Sequence, residues 1–375
     1  MKEKVCLVVS SAMTVNAFLQ EPIRRLSGYY EVHVAVNLAP GETLGSVESL
    51  VTVIPVGIER KITPWRDLRA LGQLFSLFRR NQYKLVHSVT PKAGLLAMLA
   101  AFLAGVGIRI HTFTGQVWVT RSGMARSLLK SMDRLIASLT TYALVDSASQ
   151  RQFLLDEGVL AADRSGVLAQ GSISGVDVGR FRPDEAVRAR LRQELGIPQD
   201  EVIFLFLGRI NRDKGVLDLA AAFSGMSDTH SHLVVVGPDE EQLRPQIREL
   251  TQACTERVHF VDFTRRPEDY MAAADVLCLP SYREGFGSVV IEAAAAGIPA
   301  IGSRIYGVED SIADGVSGLL FEARDVVGLR ACLSALASDD EQRLKLGRQA
   351  RDRALSEFSS EHLADAWLAF YRARL

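Results

Sequence analysis

The stretch VIFLFLGRINRDKGVLDLAAAF, residues 202–223, decides the fold. Six apolar residues, Val202 to Leu207, run into the loop Gly208 to Gly215, and an amphipathic helical segment follows. A strand, a glycine-punctuated loop and a helix make one unit of a parallel sheet, whose strands are buried on both faces and so read as unbroken apolar runs.

The same alternation repeats in both directions. Before it lie apolar runs at Val5 to Val9, Val32 to Asn37, Leu85 to Ser88, Ile108 to Thr112 and Ala143 to Ser147; after it, at His232 to Gly237, Val258 to Phe263, Asp275 to Pro280 and Pro299 to Gly302. Strands spaced by helical stretches predict parallel sheets with crossover helices, and 375 residues exceed what one hydrophobic core usually supports. Two doubly wound α/β domains follow. Gly171 to Pro183, punctuated by Gly171, Gly175, Gly179 and Pro183, reads as the junction. The domains are expected at 1–178 and 179–358. Beyond Asp325 the chain turns helical, and a last helix near Glu361 to Ala373 carries Leu363, Trp367, Phe370 and Tyr371 on an apolar stripe that something must cover.

The composition, 48% hydrophobic and 23% charged, excludes a disordered chain. Cys6, Cys254, Cys278 and Cys332 are scattered without paired spacing, which fits a reducing cytoplasm better than a zinc site or a disulfide framework. The uncharged run Ala93 to Ile108 is shorter than the roughly 20 residues that span a bilayer, and reads as a buried helix or as a segment dipping into the membrane interface. Charge is unevenly spread. Up to Val178, 19 Lys and Arg face 13 Asp and Glu; beyond it, 24 face 31. The densest basic stretch is Arg60 to Lys84, interleaved with Trp65, Phe75 and Phe78. It suits an anionic membrane surface or a solvated helix face, and no basic stripe continues far enough to suggest nucleic acid.

In open parallel sheets ligands bind beyond the carboxyl ends of the strands, so chemistry is sought in the strand-to-helix loops. Gly208 to Gly215 offers glycine amides with Arg209, Arg212 and Lys214, a phosphate-binding set without the Gly-Lys-Ser/Thr ending of a Walker loop. Ser281-Tyr282-Arg283-Glu284-Gly285-Phe286-Gly287 leads into a helix from Ser288 to Ala296. Its glycines expose amides at a helix N-terminus, where the dipole favours an anion such as a diphosphate. Glu284 outside that helix and Glu292 in its second turn are too far apart to act on one bond; they suit hydroxyl groups, one on a sugar and one on a ribose. A third loop, Phe260 to Pro267, offers Phe263 to a nucleotide base or to the core.

With these loops in view the chain resembles the retaining glycosyltransferases of the group 1 type, family four, over nearly its whole length. The resemblance rests on Glu284-Gly-Phe-Gly-Ser-Val-Val-Ile-Glu292, on Arg209 and Lys214, on Ala295-Ala-Gly-Ile-Pro299 and on Gly315-Val-Ser-Gly-Leu-Leu-Phe321. It implies the GT-B fold: two Rossmann-like domains facing a cleft, with the C-terminal helix, about 359–375, returning to the first. It implies Arg209, Lys214 and Glu284 as catalytic residues, with Gly208, Phe263, Gly285, Phe286, Gly287, Ser288 and Glu292 binding a UDP-sugar donor. No metal or other cofactor is implied, because two cations and a helix N-terminus neutralise the departing diphosphate, and retention follows a front-face, ion-pair-like route.

The N-terminal half departs from the pattern. Many relatives carry a glycine pair where this chain has Ser10-Ser11-Ala12-Met13-Thr14-Val15-Asn16-Ala17, and a histidine where it has Thr114. His87 to Gly94 resembles members that act on polyprenyl-diphosphate-linked sugars. The expected acceptor contacts are therefore Asn16, His87, Lys92, Thr114 and Gly115, with His87 alternatively a satisfied strand-end residue. The expected activity is transfer of a hexose or N-acetylhexosamine to a lipid-linked saccharide in surface polysaccharide synthesis, at the inner face of the plasma membrane. A non-hydrolysing UDP-sugar epimerase and a nucleotide-sugar-binding scaffold subunit are the alternatives.

Overall fold

The computed structural model describes residues 2–59 and 63–375. They form two compact units, Met1–Gly175 joined by Ser360–Leu375, and Val176–Ser359.

The first unit is built on β1 (Lys4–Val9), β2 (Glu31–Val36), β3 (Thr52–Pro55), β4 (Leu85–Val89), β5 (Ile108–Phe113), β6 (Tyr142–Val145) and β7 (Ser165–Val167), in the spatial order β3-β2-β1-β4-β5-β6-β7. All pairs are parallel. One face is covered by the helices Pro64–Asn81, Pro91–Leu103 and Gly123–Leu139, packed side by side through Leu74, Phe78, Ala97, Ala101 and Ile136. The other carries the helices Gln20–Ser27 and Ser360–Arg372, through Ile23, Leu26, Leu363, Trp367 and Tyr371. The C-terminal apolar stripe thus finds its cover on the first sheet. The uncharged run Ala93 to Ile108 is the middle helix of three, flanked on both sides, which is why it needs no polar face. No described helix is long and apolar enough to cross a membrane.

The second unit contains β8 (Val202–Leu207), β9 (Ser231–Val236), β10 (Val258–Val261), β11 (Val276–Leu279), β12 (Ala300–Ser303) and β13 (Gly318–Phe321), in the order β10-β9-β8-β11-β12-β13. These strands are also all parallel. Phe204, Phe206 and Phe223 fill the core on one face; Leu205, Leu277, Leu279 and Ile291 fill it on the other.

The ten expected strands are all present, with ends shifted by a few residues. Three more complete the sheets: β3, β7 and β13, of three or four residues each. In both sheets the chain runs outward in one direction and then returns to the middle to run in the other. That reversal falls between β1 and β4 in the first unit and between β8 and β11 in the second. Loops leaving neighbouring strands there diverge to opposite faces and leave room between them for a ligand.

Candidate functional site

In the second unit the reversal brings together the two loops singled out by their residues. After β8, Asn211 caps a single 3-10 turn, Arg212–Lys214, its Oδ1 accepting from Lys214 N at 3.2 Å. Gly215 then takes φ +65°, and a Cβ there would lie 1.9 Å from the carbonyl oxygen of Pro280, so the two loops touch backbone to backbone. Tyr282 N donates to Asp213 O at 2.8 Å, and Arg283 Nε to Asp213 Oδ2 at 2.8 Å. The result is an ion pair between Lys214 Nζ and Glu284 Oε1, both partly buried. Arg209 reaches the other way, to Glu240 at 3.0 Å. Tyr282 Oη donates to Asp218 at 2.7 Å, and the Arg324 guanidinium lies 4.3 Å from the centre of the Tyr282 ring.

Gly287 sits at φ +82° as the N-cap of the helix Ser288–Ala295, so a residue without a Cβ turns the loop into the helix and leaves first-turn amides facing outward. Glu292 is partly covered in the second turn. Burial pushes its carboxyl up to about 7; the Arg180 charge opposes that rise and the Glu268 charge adds to it. Two cations, helix amides and two carboxylates within one loop pair can receive an anion bonded to hydroxyl-bearing groups. Among the described residues no three His, Cys, Asp or Glu side chains are placed to hold a metal ion.

Two expected donor residues are placed as follows. The Phe286 side chain is buried, its ring 5.3 Å from that of Phe358, so the side chain is part of the core and a donor could meet only the backbone of this residue. Phe263 follows β10, the edge strand two places from β8, and is 66% exposed.

In the first unit the corresponding reversal joins Thr90, at φ +76°, to Ser10 by a 3.1 Å hydroxyl contact. Asn16 stands exposed in a π-helical turn, donating to Thr43 O at 2.9 Å. Thr114 and Gly115 follow β5, and the Thr114 carbonyl accepts from the side chains of Gln116 and Gln150. Lys92, at the start of its helix, pairs with Asp67 at 2.6 Å. His87 requires a correction: it belongs to the core and not to a loop. Its ring lies wholly inside, 4.7 Å from that of Trp367, with Nε2 2.8 Å from Thr112 Oγ1 and Nδ1 3.0 Å from Tyr371 Oη. Burial drives its pKa down to about 3, so it is neutral. Arg60 and Lys61 of the basic stretch lie outside the described residues.

Asp146, at the carboxyl end of β6, escaped the sequence reading. It is buried, one of its carboxyl oxygens has no partner, and burial raises the group to about 8. An aspartate closing an apolar strand just before a capping serine, Ser147, was the available signal.

Comparison with known proteins agrees with this architecture. Residues 187–353 match the family of glycosyl transferases group 1, and residues 17–168 match a glycosyl transferase 4-like domain. A D-inositol 3-phosphate glycosyltransferase of Streptomyces avermitilis is 30% identical over 91% of this chain and 79% of its own. The capsular polysaccharide biosynthesis glycosyltransferase CapM of Staphylococcus aureus is 27% identical over 92% of this chain and 90% of its own. The crystal structure of Anabaena HepE in complex with UDP and glucose superposes with a TM-score of 0.82 at 18% identity, covering 100% of both chains. With its two parallel-sheet domains, the chain belongs to the group 1 glycosyltransferases and has the GT-B fold.

Proposed function

We propose that this glycosyltransferase moves a hexose or N-acetylhexosamine from a UDP-sugar to a hydroxyl of a lipid-linked saccharide, with retained configuration, during surface polysaccharide synthesis. The observation that carries the donor half is the Lys214–Glu284 pair beside the helix N-terminus at Ser288. A nucleoside diphosphate arriving there offers Lys214 a stronger anion than one carboxylate. Glu284, released, accepts hydrogen bonds from the sugar's hydroxyls. Arg209, Lys214 and the first-turn amides then stabilise the charge that grows on the leaving diphosphate, the kind of preorganised electrostatics that needs no metal. Glu292 receives the ribose. The UDP and glucose of the Anabaena HepE structure and the capsular role of CapM support the donor class and the pathway class respectively.

The test is incubation of the full chain with a panel of nucleotide sugars and polyprenyl-diphosphate-linked acceptors, with and without EDTA, followed by mass spectrometry and NMR of the anomeric centre. A product with the donor's configuration, formed equally with chelator, is expected. Conversion of a UDP-sugar without acceptor would show an epimerase instead. Glycan synthesis that survives Glu284→Ala and Arg209→Ala in cells would show a scaffold.

A further inference from the structure

The loop 208–215 is braced from a second side, by the loop that leaves β9. Gly237 opens that loop at φ +143°, and a Cβ on it would lie 1.9 Å from the carbonyl oxygen of Gly208, so these two loops also touch backbone to backbone. Ile210 N donates to Pro238 O at 2.9 Å, and Glu240 N donates back to Ile210 O at 3.1 Å. Of the three consecutive acids after Pro238, Asp239 caps the next helix, accepting from Leu243 N at 2.9 Å and Arg244 N at 3.0 Å. Glu241 accepts from Arg212 N at 3.3 Å. Glu240 faces Arg209: its Oε2 accepts from Arg209 Nη1 at 3.0 Å and from Asn211 Nδ2 at 3.2 Å. Asn211 is buried and its Oδ1 accepts from Lys214 N, so one amide side chain ties the Glu240 carboxylate to the turn of Lys214.

We propose that Glu240 is a positioning residue for glycosyl transfer, acting through Arg209. The guanidinium gives Glu240 only its Nη1; Nε and Nη2, the parallel donors that fork onto a phosphate, have no partner among the described residues. Glu240 thus fixes one corner of a long flexible side chain and leaves its phosphate-binding edge open. An arginine ordered before its ligand arrives loses less rotamer freedom on binding. Folding gains little from the pair, because the two side chains are 41% and 34% exposed and solvated ion pairs contribute little to stability. The competing effect of the carboxylate is to neutralise Arg209, and its sign is opposite, since removing Glu240 would then strengthen the hold on an anion. Solvent around both charges weakens that effect, whereas Asn211 secures the carboxylate from beneath, so orientation prevails. The proposal rests on the reading that Arg209 meets the donor's diphosphate.

The experiment titrates the full chain with UDP and with UMP by calorimetry, two ligands that differ by the second phosphate. Glu240→Ala should weaken UDP binding roughly tenfold, the loss of about one charge-assisted hydrogen bond, with UMP affinity and Tm unchanged. Glu240→Gln, which keeps an acceptor oxygen for Arg209, should fall between Glu240→Ala and the parent. In an Arg209→Ala background, Glu240→Ala should have no further effect on UDP, as a residue acting through Arg209 requires. A merely structural role would move UMP together with UDP and would persist in that background. UDP binding that is unchanged or tighter in Glu240→Ala, or equal losses for UDP and UMP, would overturn the proposal alone. If Arg209→Ala itself binds UDP like the parent, the underlying reading fails and the proposal with it.

Discussion

Lys214 Nζ rests on Glu284 Oε1 although the two residues are 70 positions apart, because β8 and β11 are neighbours in the sheet and each residue stands on the loop that leaves its strand. Neither side chain is free to wander. Lys214 is fixed by the turn that Asn211 caps, and Glu284 by the contacts of Tyr282 and Arg283 with Asp213.

Lys214→Ala should therefore lower turnover at least tenfold, a loss of about 1.4 kcal/mol or more of transition-state stabilisation, because in the proposed reaction the cation meets charge that grows as the diphosphate leaves. Steady-state kinetics with a fixed acceptor measures it. Unchanged turnover in a folded variant would remove Lys214 from the chemistry.

Gly215→Ala tests the join between the loops. The added methyl would meet the Pro280 carbonyl and must also adopt a left-handed backbone, so a destabilisation of about 1–3 kcal/mol is expected, with weakened donor binding. Thermal unfolding and a donor titration read the two effects. An alanine variant with parental Tm and affinity would show that the loops can separate without consequence.

Glu292 predicts a pH dependence. Burial raises its carboxyl to about 7, and the ionised form, an acceptor on both oxygens, holds a pair of hydroxyl donors more strongly than the protonated form, one of whose oxygens is a donor. The donor's KM should fall as pH rises through about 7, and Glu292→Gln should flatten that dependence while raising KM. A variant that loses only kcat would assign Glu292 a different part.

Asp146 makes a prediction about stability. Its folded value of about 8 lies above the ordinary 3.8, so the folded state holds the proton more tightly than the unfolded chain does. Stability from this group is present below pH 3.8 and is lost as pH rises towards 8. Asp146→Asn should thus gain Tm over the parent progressively across that window. A constant difference between the two proteins would show that the carboxyl does not titrate there.

The long central strands were legible because burial on both faces leaves runs such as Val202 to Leu207 with no polar alternation to obscure them. The strands that escaped are edges or short additions: β3 is half exposed and ends in Pro55, β7 is Ser165-Gly166-Val167, and β13 hides inside Gly315 to Phe321, which reads as a motif before it reads as a strand. Residue types alone marked the two candidate loops of the second unit. Their partnership was not legible, because which loops meet depends on strand order. His87 was open to two readings, acceptor contact or satisfied strand-end residue, and only the three-dimensional packing decides for the second. A histidine near the end of a strand looks accessible until a helix from the far end of the chain lays Trp367 and Tyr371 over it. Asp146 was passed over because its isolation is a property of three dimensions.

That returning helix also imposes an order on biosynthesis. The whole of Val176–Ser359 leaves the ribosome before Ser360–Leu375 does, so the second unit can finish folding while the first still lacks part of its cover. During that interval Leu363, Trp367 and Tyr371 are not yet in place, and the strand bearing His87 faces water or a chaperone. The first unit, though its sheet is made earliest, thus cannot complete its core until the whole of the second has been synthesised, and a chain cut short before Ser360 would leave that core open.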